Sequence, residues 1–187
     1  MRIPRLALAA VLATSAAFAS SQVTVWPVDS LIKVFQDDPP GKNRAPDDPW
    51  FIAGNGHASI QIAIRSSTAV SALRVNVKLA GGLQTQVRRV GYVPVRSNPP
   101  GTPADEVVRA APARFPDPLF EEMPFALAAN QTAAVWITIY APAGTPAGLY
   151  KGEAVFRTGR KHLAEVPFQI RVARATVPAK QTLKVTN

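Results

Sequence analysis

A chain of 187 residues, 47% hydrophobic and 18% charged, has room for one domain with a sizeable core and a linker at one end. It contains no cysteine, which excludes a disulfide framework, a thiolate nucleophile and a cysteine-based zinc site. The net charge of +9 would suit an anionic partner, yet none of the basic motifs with interleaved aromatics that mark nucleic-acid modules is present, so no nucleic acid is expected.

The first element in chain order is a leader. Arg2 and Arg5 precede an apolar run from Leu6, and Ala17-Phe18-Ala19 precedes the polar Ser20-Ser21-Gln22. This is the three-part layout of a secretory signal peptide over residues 1–19, cleaved after Ala19, and it predicts a secreted or periplasmic product. A membrane anchor is the plainer alternative. The Ala-rich run carries Pro4 and Thr14 and is shorter than the ~20 residues a span requires, and no later segment is long and apolar enough to cross a bilayer. Cleavage leaves 19 basic against 12 acidic residues, a charge of +7.

Val23 to Val28 and Leu31 to Phe35 read as an opening strand pair or one interrupted strand. Residues 36–50, with four prolines and four aspartates, read as a loop. Asn55-Gly56, between Phe51-Ile52-Ala53 and the alternating Ile60-Gln61-Ile62-Ala63-Ile64, is a hairpin signal. Further strands are predicted at Leu73–Leu79, Val87–Val95, Ala134–Tyr140, Tyr150–Arg157 and Leu163–Val172, and residues 96–118, with six prolines, read as an irregular crossing. No helical period persists outside the leader. Seven to nine short strands predict an all-β fold, an immunoglobulin-like antiparallel sandwich, over residues 20–177. Pro146-Ala147-Gly148-Leu149-Tyr150 resembles the tyrosine corner of such sandwiches.

Motifs for chemistry are sparse. His57 and His162 lie in no metal-binding spacing, and Asp37-Asp38 and Asp47-Asp48 lack the spacing of a calcium loop and read as solvated turns, so no metal or cofactor is predicted. Ser30-x-x-Lys33 with Arg157-Thr158-Gly159 approaches a penicillin-recognising signature, but Ser30 sits in a strand-like segment where that nucleophile opens a helix. Gly54-Asn55-Gly56 has neither the third glycine nor the helix of a dinucleotide site, and no G-x-S-x-G occurs. The carboxylate pairs Glu121-Glu122, Asp105-Glu106 and Glu153 with Glu165 are poorly placed for glycosidase acid/base work, since adjacent residues of an extended chain face opposite ways. No catalytic residue is therefore assigned.

The candidate ligand-binding residues are aromatic. Trp136 and Tyr140 share one face of a strand whose other face is Val135, Ile137 and Ile139. If the aliphatic face is the core, the aromatic stripe looks outward to a ligand or another domain; in the reverse case it is core. Trp50, ending the proline loop, is the third candidate, and Trp26 reads as core. From Lys151 onward eight basic residues face two acidic ones, read as a charged sheet edge that deters pairing or, alternatively, as a face for anionic polysaccharide or membrane.

Taken together, Trp26-Pro27-Val28-Asp29-Ser30-Leu31 with Lys33-Val34-Phe35 and Asp37-Asp38, Ser59-Ile60-Gln61, Val87 through Gly91-Tyr92 to Val95, Phe115-Pro116-Asp117-Pro118-Leu119, Asn130-Gln131 before Val135–Pro142, and Pro146-x-Gly148-x-Tyr150-x-Gly152 follow one another in a familiar order. In this the chain resembles the N-terminal β-sandwich domain that precedes the catalytic barrel in glycoside hydrolase family 123 and its relatives. It departs at Gly56-His57-Ala58, where relatives tend to carry an acidic residue before Ser-x-Gln. The resemblance implies that hydrolysis, a substrate-assisted attack by the sugar's own 2-acetamido group, belongs to a barrel beyond residues 178–187, which would begin the linker. No catalytic residue of the family falls on this sequence. The expected function is a non-catalytic accessory domain of a secreted glycosidase-like protein, from a truncated or split gene, with a barrel in cis or from a neighbouring gene as partner. A freestanding exported module for a polysaccharide or cell-surface partner is the alternative.

Overall fold

The computed structural model describes residues 23–180; residues 1–22, with the expected leader, and residues 181–187 lie outside the described residues. Ten strands and one short 3₁₀ turn, Ala104–Glu106, make two five-stranded sheets packed face to face. The first sheet has the order β1 (Val23–Val28), β3 (Gly56–Ser66), β8 (Thr132–Ala141), β5 (Gln84–Val95), β6 (Ala113–Phe120). The second has the order β2 (Trp50–Gly54), β10 (Lys161–Thr176), β9 (Gly148–Thr158), β4 (Val70–Leu79), β7 (Phe125–Leu127). The fold is all-β, an immunoglobulin-like sandwich. Its pairings are antiparallel except that β2 runs parallel to β10, with Trp50 beside Ile170 and Ile52 beside Val172.

The period-2 pattern decides which residues meet between the sheets. Ile60, Ile62 and Ile64 of β3 and Val135, Ile137 and Ile139 of β8 are fully buried in one apolar cluster with Leu73, Val75, Ala154, Phe156, Phe168 and Ile170 of the opposite sheet. The aliphatic face of β8 is therefore the core, and Trp136 and Tyr140 face outward. A second cluster, Trp26, Val28, Val34, Ala63, Val90 and Ala134, lies on the outer face of the first sheet, beneath the segment between β1 and β2. Trp26 is thus buried as expected, but outside the central core.

Several expected elements differ. Asn55-Gly56 makes no hairpin: only Asn55 separates β2 from β3, and the two strands belong to different sheets. Asn55 takes the left-handed conformation its type favours, with φ of 55°, and uses it to turn a corner between sheets. Ile52 and Ile60 then enter the same core from opposite sides. Leu31 to Phe35 form no strand, because Asp29 closes a side-chain turn onto the Leu31 amide (2.8 Å) and the chain bends across the sheet instead. The 96–118 crossing ends in β6, which carries Pro116 and Pro118 and is an edge strand, the place where a missing N–H is tolerated. The basic C-terminal strands do not form a simple sheet edge either. β9 is interior, and β10 is flanked by β2 from Ile170 onward.

The tyrosine corner forms: Tyr150 Oη donates to the Pro146 carbonyl (2.7 Å). Its ring lies over Gly81, whose φ is +81° and where any Cβ would overlap the ring, so the turn between β4 and β5 and the start of β9 depend on each other. Phe156→Ala, at the centre of the core, is expected to cost about 3–5 kcal/mol, and Tyr150→Phe, which deletes one partly exposed hydrogen bond, about 1 kcal/mol; urea denaturation curves measure both.

Candidate functional site

The outer face of the first sheet is half covered by residues 29–45, and the cover is held by side chains reaching up from the strands. Gln61, only 3% exposed, donates from Nε2 to the carbonyls of Asp29 (3.1 Å) and Ile32 (2.8 Å). Lys33 Nζ donates to the Pro116 carbonyl (3.2 Å), and Tyr92 Oη to that of Val34 (3.0 Å). Burial pushes the Tyr92 phenol far above its ordinary pKa, so it stays a neutral donor. Further along, Thr132 Oγ1 (2.6 Å) and Arg65 Nη1 (3.2 Å) both donate to the Asp38 carbonyl, and Trp26 Nε1 donates to that of Lys42 (3.0 Å).

The aspartates of this cover are not solvated turn residues throughout. Asp38 is buried, accepting from the Phe35 amide (2.8 Å) and pairing with Lys42 (2.6 Å). Asp37 pairs with Arg109, whose guanidinium lies 3.7 Å from the centroid of the Phe35 ring, itself edge-on to Phe115. Arg109 therefore ties the 96–112 crossing to the cover, and beside it the Asp37 carboxyl is held below its ordinary pKa. Asp47 lies 3.8 Å from Arg44. These carboxylates are committed to cations of the chain itself, and among the described residues no group of three or more potential ligands is placed to hold a metal.

Beyond the edge of the cover, strand register sets out three rows across β3, β8 and β5: Gln61, Trp136 and Arg88; Ser59, Thr138 and Gln86; His57, Tyr140 and Gln84. Trp136 is half-buried and forms one wall of a cleft of about 220 Å³ with Ser30, Lys33, Gln61 and Asp117, rimmed by Leu31, Ile32 and Leu119. Arg88 is turned toward Glu121 (3.3 Å), which also accepts from Gln86 (2.6 Å). At the far row the Tyr140 ring stacks on His57 with centroids 4.7 Å apart, and its Oη donates to Asn55 Oδ1 (2.8 Å). Tyr140 thus supports the corner between the sheets, while Trp136 lines an open cleft.

Trp50 lies apart from both. It starts β2 in the second sheet, is half-buried against the central core, and borders a cleft of about 440 Å³ with Arg44, Asp47, Lys151 and Phe168. The three aromatic candidates therefore do not share one site. Ser30 and Lys33 share the Trp136 cleft, but Arg157-Thr158-Gly159 lies at the β9–β10 turn of the other sheet. Glu122 sits 3.9 Å from Arg89, Glu153 3.2 Å from Lys78, and Glu165 3.2 Å from His162, each on the surface. Gln61, Asp117 and Arg109 were not expected here. Gln61 alone carried a sequence signal, a polar residue of long reach amid isoleucines; Arg109 acts through contacts far away in sequence, and Asp117 shares its cleft with residues distant in the chain.

No family model matches the sequence, and no curated protein matches it. Among solved structures, the fold is similar to part of a family 123 glycoside hydrolase from Clostridium perfringens, described for glycolipid glycan hydrolysis, with a TM-score of 0.62 and 15% identity. The match covers 84% of this chain and 28% of that protein. A CARDB domain from Pyrococcus furiosus aligns over 81% of this chain and 94% of that domain, at 12% identity and a TM-score of 0.41. The CfaE adhesin of enterotoxigenic E. coli aligns over 85% of this chain and 50% of the adhesin, at 9% identity and a TM-score of 0.35. At such identities the first likeness is one of fold, to a segment little over a quarter of the longer hydrolase.

Two outcomes follow from the geometry. Trp136→Ala should keep a cooperative unfolding transition and lose less stability than Phe156→Ala, as read by urea denaturation, since Trp136 stands outside the central core. The Asp37–Arg109 pairing contributes fully above the ordinary aspartate pKa of 3.8 and is lost as pH falls through the lower folded value. Hydrogen exchange should accordingly show the 29–45 cover loosening in acid, with that component absent in Arg109→Gln.

Proposed function

We propose that this chain is the non-catalytic accessory β-sandwich of a secreted glycoside-hydrolase-like protein, residues 20–177 forming the sandwich and residues 178–187 leading toward a catalytic barrel. The observation that carries the reading is a pair of large exposed apolar side chains beside the last strand of the sandwich. Phe51 (68% exposed) and Leu149 (45% exposed) stand either side of Arg171 in register across β2, β10 and β9. A few residues on, Val177 is clamped at the sheet corner. Its amide donates to the Gly54 carbonyl (2.8 Å), and its carbonyl accepts from Asn55 Nδ2 (3.0 Å). Phe51 and Leu149 flank the exposed Arg171 in a mixed face that a neighbouring domain would cover, and a clamped exit would fix where such a domain starts.

Two further observations support the reading. Of the six carboxylates weighed for glycosidase work, four, Glu121, Glu122, Glu153 and Glu165, lie beside a basic side chain of the same chain, Arg88, Arg89, Lys78 and His162. The fold likeness is to one segment of a longer hydrolase. The barrel partner, export after Ala19 and a role in carbohydrate metabolism all belong to this proposal.

Sequencing the gene through codon 187 and weighing the exported product by intact mass tests it. A frame running on into a barrel-sized stretch supports the accessory role. A stop codon there, with a product of the sandwich's mass alone, overturns the barrel in cis. Residues 20–187, purified alone, should release no chromophore from aryl 2-acetamido glycosides; turnover above the buffer blank that is lost on mutating a carboxylate would overturn the non-catalytic assignment.

A further inference from the structure

We infer that the cleft beside Trp136 is a saccharide subsite that takes one neutral pyranose residue of a longer glycan. The inference deepens the accessory-domain reading and rests on it for the class of substrate, since a sandwich that holds a glycan beside a hydrolase presents that glycan to it. The cleft itself stands on its own geometry.

A pyranose ring has an apolar face of C–H groups and a rim of hydroxyls, so its site needs a flat aromatic wall with donors and acceptors at the edge. Trp136 supplies the wall, half-buried and held from behind by the cluster around Trp26. Asp117 and Lys33 stand at the edge with opposite charges. Asp117 has no ion-pair partner among the described residues, and Lys33 donates to the Pro116 carbonyl (3.2 Å), one of the three bonds an ammonium offers. Gln61 is the buried polar group. Both its hydrogen bonds to the cover are made by Nε2, which leaves Oε1, at the cleft, without a hydrogen-bond partner among the described residues. One donor, one free carboxylate, one amide oxygen and the Ser30 hydroxyl surround one indole ring.

The size and charge of the cleft select the ligand. At about 220 Å³ it lies below the ~300–1,000 Å³ of pockets for drug-sized molecules, which fits a single ring. Asp117 and Lys33 cancel, so neither a uronic acid nor an amino sugar is favoured. The cleft opens onto the polar row of Ser59, Thr138 and Gln86, giving the rest of a chain somewhere to run. The basic residues of β9 and β10 lie in the other sheet and play no part.

The test uses residues 20–187 titrated calorimetrically with neutral hexasaccharides of glucose, galactose and N-acetylglucosamine, and with polygalacturonate as the anionic probe. At least one neutral probe should bind, with affinity reduced about tenfold or more in Trp136→Ala and clearly reduced in Asp117→Asn, while both variants unfold cooperatively. If Trp136→Ala does not fold, Trp136→Phe and Asp117→Asn carry the same comparison. Absence of binding by every neutral probe at millimolar concentration overturns the subsite. So does binding that both variants leave unchanged, or binding of polygalacturonate alone that salt abolishes. These outcomes are independent of the gene's reading frame, so failure of the subsite and failure of the accessory-domain reading are told apart.

Discussion

The arrangement depends on one buried amide. Gln61 lies in the middle of β3 between isoleucines that belong to the central core, and it reaches outward to hold two carbonyls of the chain segment that crosses the sheet. A buried amide left without partners is costly, so Gln61, 3% exposed, fixes where the segment runs. Once residues 29–32 are in place, Val34 can close over Ala63, Val90 and Ala134, and Trp26 is sealed from water. The first sheet is thereby buried on both faces near β1 and on only one face further along β8. Trp136 stands at that boundary, which is why it is half-buried and why a cleft opens beside it.

The cover is a polar structure resting on an apolar one. Asp38, Arg65, Thr132 and Arg109 hold it by side chain to backbone bonds and ion pairs, each satisfying a group that crossing the sheet would otherwise strand. The same economy shows at the corner, where Asn55 receives the Tyr140 hydroxyl and gives its amide to Val177. The two ends of the open strip on the first sheet are thus rigid for different reasons, the cover at one and the sheet corner at the other. Between them lies a polar strip in which Arg88, Gln86, Thr138 and Glu121 bond one another. The exposed Phe51 and Leu149 lie on the other sheet, so the two proposed contacts, with a neighbouring domain and with a glycan, would draw on separate surfaces.

Much of this was legible in the residues. Alternation named β8 and its two faces, the Pro/Gly punctuation ended it, and Pro146 with Tyr150 announced the corner that forms. The readings that failed did so where a local signal competed with long-range pairing. Asn55-Gly56 carries hairpin chemistry, but β2 finds its partner in β10, more than a hundred residues on. Pro116 and Pro118 spoke against a strand, yet on the outer edge beside β5 they omit only donors the sheet does not need. Asp37 and Asp38 read as loop solvent because Arg109, which pairs with both, stands far away in the chain.

By itself the sequence determined an all-β chain and the aliphatic stripe of its core, because strand period is a local property. Only the tertiary structure decided which way the aromatic stripe looks, that Trp50 and Trp136 border separate clefts while Tyr140 supports the sheet corner, and that Gln61 and Asp117 stand beside Trp136. Those are consequences of register between strands distant in the chain, and register is set by how the whole core packs.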